Sequence, residues 1–323
     1  MPSTPSTDVI RDAVALACRA PSLHNTQPWR WVFDGVALHL FSDPARMLAG
    51  TDAFGREMVI SCGVVLDHLV VAMAGQRWRT EVHRYPDPQR RELLASLRFS
   101  PVMLLTNAEH DRAVAISRRH TSRAPFGAVA DWAHYESVLR SVADDYDVDL
   151  SVLPAAAHPE LLRAAEVYAS LRGQDAQYLA ELRWWSSHPD VVEQQVAADP
   201  GASRPGWAGR VAPQRDSGWD EADLSDDRAT VLVLSTPGDG PLDCLRCGEA
   251  LSAVLLECTV AGLATCPLTH LTELPASRDI LAALIGRVAA PQVLVRLGIP
   301  PQERNLTAHT ARRHVADVLE VVS

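Results

Sequence analysis

Two apolar helical runs in this chain repeat one another at a distance. Cys62-Gly63 is followed by Leu66, Leu69, Val70 and Val71, and Cys247-Gly248 by Leu251, Val254, Leu255 and Leu256. One offset of 185 residues relates all six pairs. Both runs finish on Ala-Gly, Ala74-Gly75 and Ala261-Gly262, the second two residues later. A helix that is apolar on every side has to be buried on every side. A chain with two such runs is therefore constrained to bring two long helices into its core. Duplication of one unit explains the match; coincidence of helical spacing is the competing account. At 323 residues, with 47% apolar and 22% charged residues, the chain can bury a large core, as one large domain or two.

The remaining periodicities fill in around these helices. Residues 8–19 predict a helix capped by Thr7 or Asp8. Residues 29–41 predict a hairpin, because Asp34-Gly35 separates two β-rich runs. The first long helix spans 56–75, and Trp78–Tyr85 alternates as a strand. Pro86, Pro88 and Pro101 bound a loop-rich passage with a short helix between them. Further helices are expected at 109–120, 131–143, 158–182 and 276–285, and strands at 147–153, 229–235 and 292–299. The stretch 183–228 has little periodicity yet carries Trp184, Trp185, Trp207 and Trp219, which suits a lid better than a disordered linker.

Bulk chemistry excludes several classes. A net charge of −10 argues against general nucleic-acid or membrane-surface binding. No apolar run is expected to approach transmembrane length, and no leader pattern is expected at the start of the sequence. Six cysteines are few for a disulfide scaffold, so a reducing cytoplasm is the expected location. Cys244-Leu-Arg-Cys247 stands alone without a second pair, and the twelve histidines show no metal spacing. No metal is expected.

Two polar stretches could carry chemistry. Residues 18–29, Cys-Arg-Ala-Pro-Ser-Leu-His-Asn-Thr-Gln-Pro-Trp, join a helix to a strand, and the prolines restrict the loop so that its amides and hydroxyl face something polar. Residues 118–126 pack Arg118, Arg119 and Arg123 with Thr121 and Ser122, donors suited to a phosphate. Solvated turns and an exposed helix end are the plain alternatives.

Pro21-Ser22-Leu23-His24-Asn25-Thr26-Gln27-Pro28-Trp29 resembles the P-S-x-x-N-x-Q-P-W loop of the nitroreductase family of FMN-dependent oxidoreductases. Arg119-His-Thr-Ser-Arg123 is similar to that family's R-x-S-x-[RK] element, with Thr121 in place of the usual Ser. The resemblance implies that Pro21, Ser22, Leu23, His24, Asn25 and Gln27 lie against a flavin, and that Arg119, Thr121 and Arg123 hold its phosphate and ribityl chain. Gly262-Leu-Ala-Thr-Cys-Pro-Leu-Thr-His270 resembles the family's G-x-x-[ST]-x-P loop, which places Pro267, Leu268, Thr269 and His270 near the ring. Thr269-His270 replaces the usual acidic-Gly pair there. Thr310-Ala-Arg312-Arg313 resembles the basic element that closes the phosphate site, with Arg312 and Arg313 as alternatives.

The motif order is itself informative. The P-S-x-x-N loop comes first, and the arginine element, the later loop and the C-terminal arginines all follow it. The resemblance therefore implies an α+β fold present as two fused halves, residues 1–108 and 109–323, with antiparallel-rich sheets flanked by long helices. One FMN site would lie at their interface and the Trp-rich insert over it. The Acg subgroup of actinobacterial proteins is similar in this order. The implied activity is transfer of electrons from NAD(P)H through FMN to a nitroaromatic or quinone-like acceptor, with no side-chain acid or base required. Storage or sequestration of flavin under the lid is the alternative. The expected assembly is a monomer with internal pseudo-two-fold symmetry, with a small-molecule acceptor or none as partner.

Overall fold

The structure, a computed structural model, describes residues 4–187, 227–286, 289–300 and 311–322. Its first elements are α1 (Thr7–Ala17), β1 (Trp29–Phe33), β2 (Leu38–Ser42), α2 (Arg56–Gly75), β3 (Trp78–Arg84) and β4 (Leu93–Pro101). After α3 (Asn107–Arg118) the same order returns as α4 (Trp132–Asp144), β5 (Asp149–Leu153), β6 (Thr230–Thr236), α7 (Pro241–Val260), β7 (Ala264–Leu268) and β8 (Ala290–Gly298). The second series carries additions: α5 (His158–Arg172) and α6 (Ala176–Ser187) between β5 and β6, and α8 (Pro275–Leu284) between β7 and β8.

The sheets repeat as the elements do. One runs β3-β4-β2-β1 and the other β7-β8-β6-β5, position for position. All neighbours within these four-strand sets are antiparallel. A final strand, β9 (Leu319–Val321), crosses back and pairs parallel with β1. This is an α+β fold made of two related halves, with the C-terminus of the second stitched into the sheet of the first.

The two long helices cross at the matched glycines. A Cβ on Gly63 would stand 2.1 Å from the Leu245 carbonyl oxygen, and one on Gly248 would stand 2.0 Å from that of Ile60. Ile60 and Leu245 are themselves 185 apart, so the contact is reciprocal, as across a two-fold axis. Only glycine permits this approach. The pair forms the largest contact between elements and is the centre of the main core. Within the α2 window long and apolar enough to cross a membrane, 67% is buried in this core, so the sequence expectation that no run reaches that length needs correction: α2 does, as an interior helix.

Local chemistry explains most elements. Asp34 Oδ1 accepts from the N–H of Val36 (2.9 Å) and Ala37 (2.7 Å), and Gly35 takes φ 86°, which closes the β1–β2 hairpin. Trp29, Trp31 and Phe33 then alternate inward. Helix α1 is capped one residue earlier than expected, by Ser6 Oγ accepting from Val9 N–H.

Three expectations fail. Residues 93–101 form β4 and not a helix, because pairing with both β2 and β3 overrides local propensity. The 158–182 helix is two helices: the chain turns at Gly173, and Asp175 Oδ1 accepts from Tyr178 N–H (3.0 Å) to start α6. Residues 264–268, expected as loop, form β7. This is an edge strand, where Pro267 costs no ladder hydrogen bond. Of the expected lid, residues 188–226, including Trp207 and Trp219, lie outside the described residues. All six cysteines are free and buried. Burial pushes the Cys244 thiol up to about 12, and Cys247 in the same direction, so the pair has no thiolate to react.

Candidate functional site

The loop between α1 and β1 is held in an uncommon backbone shape. His24, Asn25 and Gln27 all take positive φ, at 46°, 56° and 48°. Such conformations persist only where the surroundings fix them. Here Ser22 Oγ accepts from Gln27 N–H (3.0 Å), and Leu23 N–H donates to Ser61 Oγ on α2 (3.2 Å). The C-terminal segment clasps the other side. Asn25 Nδ2 donates to the Ala311 carbonyl (3.0 Å), and Arg313 N–H donates to Gln27 Oε1 (2.9 Å). The Arg313 guanidinium donates to the carbonyls of Gln27 and Trp29, both at 3.1 Å, and of Asp317 at 2.8 Å. Arg313 is thus committed to scaffolding the loop.

Arg312 goes elsewhere. Its Nη2 donates to the Arg19 carbonyl (3.2 Å), and Arg119 Nη2 donates to the same oxygen (3.3 Å). Arg19 in turn donates from Nη2 to the Ser117 carbonyl (3.2 Å). Three arginines from three parts of the chain meet at one point. Arg119 is 5% exposed, and its Nε and Nη1 have no hydrogen-bond partner among the described residues. Burial, then the neighbouring Arg312 and Arg19 charges, push the Arg119 guanidinium down to about 9. Burial and Arg19 push Arg312 down to about 10. Among the described residues, no carboxylate opposes the shift at Arg119. A buried cation such as Arg119 is costly unless a counter-charge meets it, so the position is suited to an anion.

The rest of the arginine element runs beside β7. Thr121 bridges Thr265, and Ser122 N–H donates to the Thr265 carbonyl (2.8 Å). Thr121 is half-buried there, whereas Arg123 is exposed. Beyond β7, Pro267, Leu268 and Thr269 are half-buried, and His270 is buried in edge contact with the Tyr168 ring, 5.5 Å between centroids. Thr269 Oγ1 donates to Glu273 (3.3 Å), as does Tyr168 OH (2.9 Å). His270 therefore belongs to the packing under α5.

Two residues absent from the sequence reading matter here. Arg19 sits within the loop motif but was overshadowed by the Pro-Ser-x-x-Asn pattern; its place directly after the helix α1 and before Pro21 was the available signal. Arg172 is the other. Its side chain lies between the rings of Tyr178 (4.5 Å) and Tyr168 (5.7 Å) and donates to the carbonyls of Gly50 (2.6 Å) and Thr51 (2.9 Å). Glu181 on α6 accepts from Thr51 Oγ1 (2.6 Å) and Gly50 N–H (3.3 Å). Helices α5 and α6 of the second half are thereby pinned to the first half. Sequence spacing gives no hint of a partner 122 residues away.

No protein-family model matches the chain. Among curated proteins, a Mycobacterium tuberculosis protein provisionally named NAD(P)H nitroreductase acg is 45% identical over 325 residues, covering 99% of this chain and 98% of its own. A second protein of that organism with a provisional NAD(P)H nitroreductase name is 36% identical over 326 residues, covering 98% and 92%. A solved structure from Anabaena variabilis, provisionally described as a nitroreductase, covers 93% of this chain and 90% of its own at TM-score 0.49 and 10% identity, too loose a likeness to carry residue roles. Full-length identity at this level with the mycobacterial proteins shows that the chain belongs to their NAD(P)H nitroreductase family.

Proposed function

We propose that this chain is an FMN-dependent NAD(P)H oxidoreductase that reduces nitroaromatic or quinone-like acceptors at one site between its halves. The observation that carries this reading is the Arg19–Arg119–Arg312 cluster. Its donors are planar guanidinium forks, and one of them, Arg119, is buried with two nitrogens unbonded among the described residues. That set fits a phosphate monoester dianion, the charged end of FMN. When bound, FMN would supply the two-electron chemistry between NAD(P)H and acceptor.

The chain's own residues bind and shape. Arg119, Arg312 and Arg19 would neutralise the phosphate, with Thr121 beside them. The fixed Pro21–Gln27 loop would lie along the flavin, and the Pro267–His270 turn would approach its ring. Arg123, being exposed, would contribute only at the rim. No side chain here is assigned as acid or base. In this reading the halves are residues 1–108 and 109–323, acting as a monomer, and the insert after α6 is a cover.

The test is anaerobic mixing of the flavin-loaded protein with NADPH and with NADH. Prompt bleaching of the flavin band by either nucleotide is the expected result. Flavin bleached by dithionite and by neither nucleotide would overturn the reductase reading. Flavin storage is the alternative in that event; Arg172 and Glu181 hold α5 and α6 against Gly50–Thr51, which suits a site that stays closed.

A further inference from the structure

The outer face of the first sheet carries a serine, a histidine and an aspartate in line. Residues of β2 alternate: Leu38 and Leu40 are buried in the core, and His39 between them faces the other way. His39 stands opposite Ser96 on β4, and Ser96 stands opposite His83 on β3. Ser96 Oγ lies 2.8 Å from His39 Nδ1, and Asp34 Oδ2 lies 3.2 Å from His39 Nε2. The His39 side chain is 24% exposed and that of Asp34 45%, so the group is open to a reagent. All three residues lie outside the Pro21–Gln27 loop and the arginine cluster.

Turn chemistry fixes where the protons sit. Asp34 Oδ1 accepts from the N–H of Val36 and Ala37, which closes the hairpin and leaves Oδ2 toward His39. The Ala37 N–H above all, with the Val36 N–H and His39, holds the Asp34 carboxyl down to about 2 against its partial burial. The carboxylate is therefore ionised and can only accept. Neutral His39 must carry its hydrogen on Nε2, toward Asp34. Nδ1 is then a lone pair, and the Ser96 hydroxyl donates to it. Nucleophile, base and orienting carboxylate stand in the order that acyl transfer uses. No sequence motif announces them, because a hairpin turn and a cross-strand pair bring them together.

We propose that Ser96 is an acyl-acceptor site, taking an acyl group from an activated donor such as an aryl ester or acyl phosphate, with His39 as base and Asp34 as orienting group. Ser96 Oγ attacks the carbonyl carbon, and its proton passes to His39 Nδ1. The imidazolium so formed is stabilised by Asp34. The bond from the carbonyl carbon to the leaving oxygen breaks, and the leaving group departs as an aryloxide or phosphate anion. His39 then releases the proton to solvent, and Ser96 carries the ester. Ser96 sits in ladders on both sides, so its own N–H is committed and cannot hold an oxyanion. His83, directly across on β3, is the nearest side-chain donor in the row. The site is therefore restricted to donors whose leaving group departs readily. The chain has no lysine, and its six cysteines are buried, so side-chain amines and thiols do not compete for the donor.

The test is p-nitrophenyl acetate added to the full-length protein, with acetyl groups mapped to peptides over time. Ser100 supplies the internal comparison: it is exposed on the same strand and face, and its neighbour on β3 is Arg79. Ser96 should be acetylated about 100-fold faster than Ser100, the scale of a positioned general base. His39→Gln should lower the Ser96 rate by a similar factor. Asp34→Asn is the finer probe. Its amide oxygen can still accept from Val36 and Ala37 N–H, but its NH2 donates to His39 Nε2, which forces the ring hydrogen onto Nδ1 and removes the base. It should slow Ser96 as His39→Gln does. Absence of an adduct on Ser96, equal rates at Ser96 and Ser100, or a Ser96 rate unchanged by either substitution would overturn the proposal. The site does not depend on flavin, so this outcome is separate from that of the nucleotide test.

Discussion

The two halves share an element order and a strand order, yet their loops diverge. After α1 the chain makes the long, strained Cys18–Pro28 loop; after α4 it makes only a tight turn, Asp145–Val148, where Arg246 pairs with Asp147 (2.7 Å). Between β1 and β2 lies a four-residue turn; between β5 and β6 lie α5, α6 and the insert. The common scaffold is symmetric and the ligand-handling parts are not. A core tolerates little change because its packing is reciprocal, while surface connections can be lengthened at small cost. On the proposed function, duplication followed by loop divergence would leave one well-equipped site in place of two equivalent ones.

The symmetric part breaks most severely at the helix crossing. Gly248→Ala should destabilise the protein by about 3–5 kcal/mol, because the new methyl would run into the α2 backbone at Ile60 and Gly63. Gly262→Ala, with open space but φ 74°, should cost only about 1 kcal/mol. Urea melts of the two variants make the comparison directly.

The asymmetric part responds in ligand affinity. Arg119→Met should weaken FMN binding by about 100-fold, the scale of a lost buried charge contact of about 3 kcal/mol, and leave riboflavin affinity unchanged. It should also stabilise the flavin-free protein, since it removes a buried cation without a counter-charge. Parallel fluorescence titrations and thermal melts read both. Arg172→Ala should cost about 3 kcal/mol by leaving the Gly50 and Thr51 carbonyls without this donor and removing the cation beside buried Glu273.

A smaller effect distinguishes equivalent positions of the long helices. Glu249 stands where the first half has Val64, and burial raises its carboxyl to about 7 despite Arg84. Its unfolded carboxyl titrates near 4.5. The folded state therefore binds this proton more tightly, and the associated stability is present below 4.5 and lost as pH rises to about 7. Glu249→Gln should flatten the stability–pH profile across that window. Smallest of all, Arg123→Ala should change FMN affinity less than about 3-fold, since an exposed cation is well screened.

Much of this was legible beforehand. The 185-residue echo located the helix crossing, because a glycine required for close approach leaves a mark in both copies. Asp34-Gly35 located the hairpin through turn chemistry alone. The arginine element pointed to Arg119. What stayed hidden depends on distant partners: β4 becomes a strand through two neighbours, Arg172 acts on a loop far away in sequence, and Arg312 and Arg313 divide their tasks only once the C-terminus crosses to the first half. Arg123 and His270 fit their motifs as letters, but exposure of one and burial of the other are settled by packing.

The central claim is that arginines from both halves build one phosphate site. The most direct measurement is the affinity and stoichiometry of FMN against riboflavin for the flavin-free protein at fixed ionic strength. The account predicts one FMN per chain, bound at least about 100-fold more tightly than riboflavin. Equal affinities, or two FMN per chain, would contradict it.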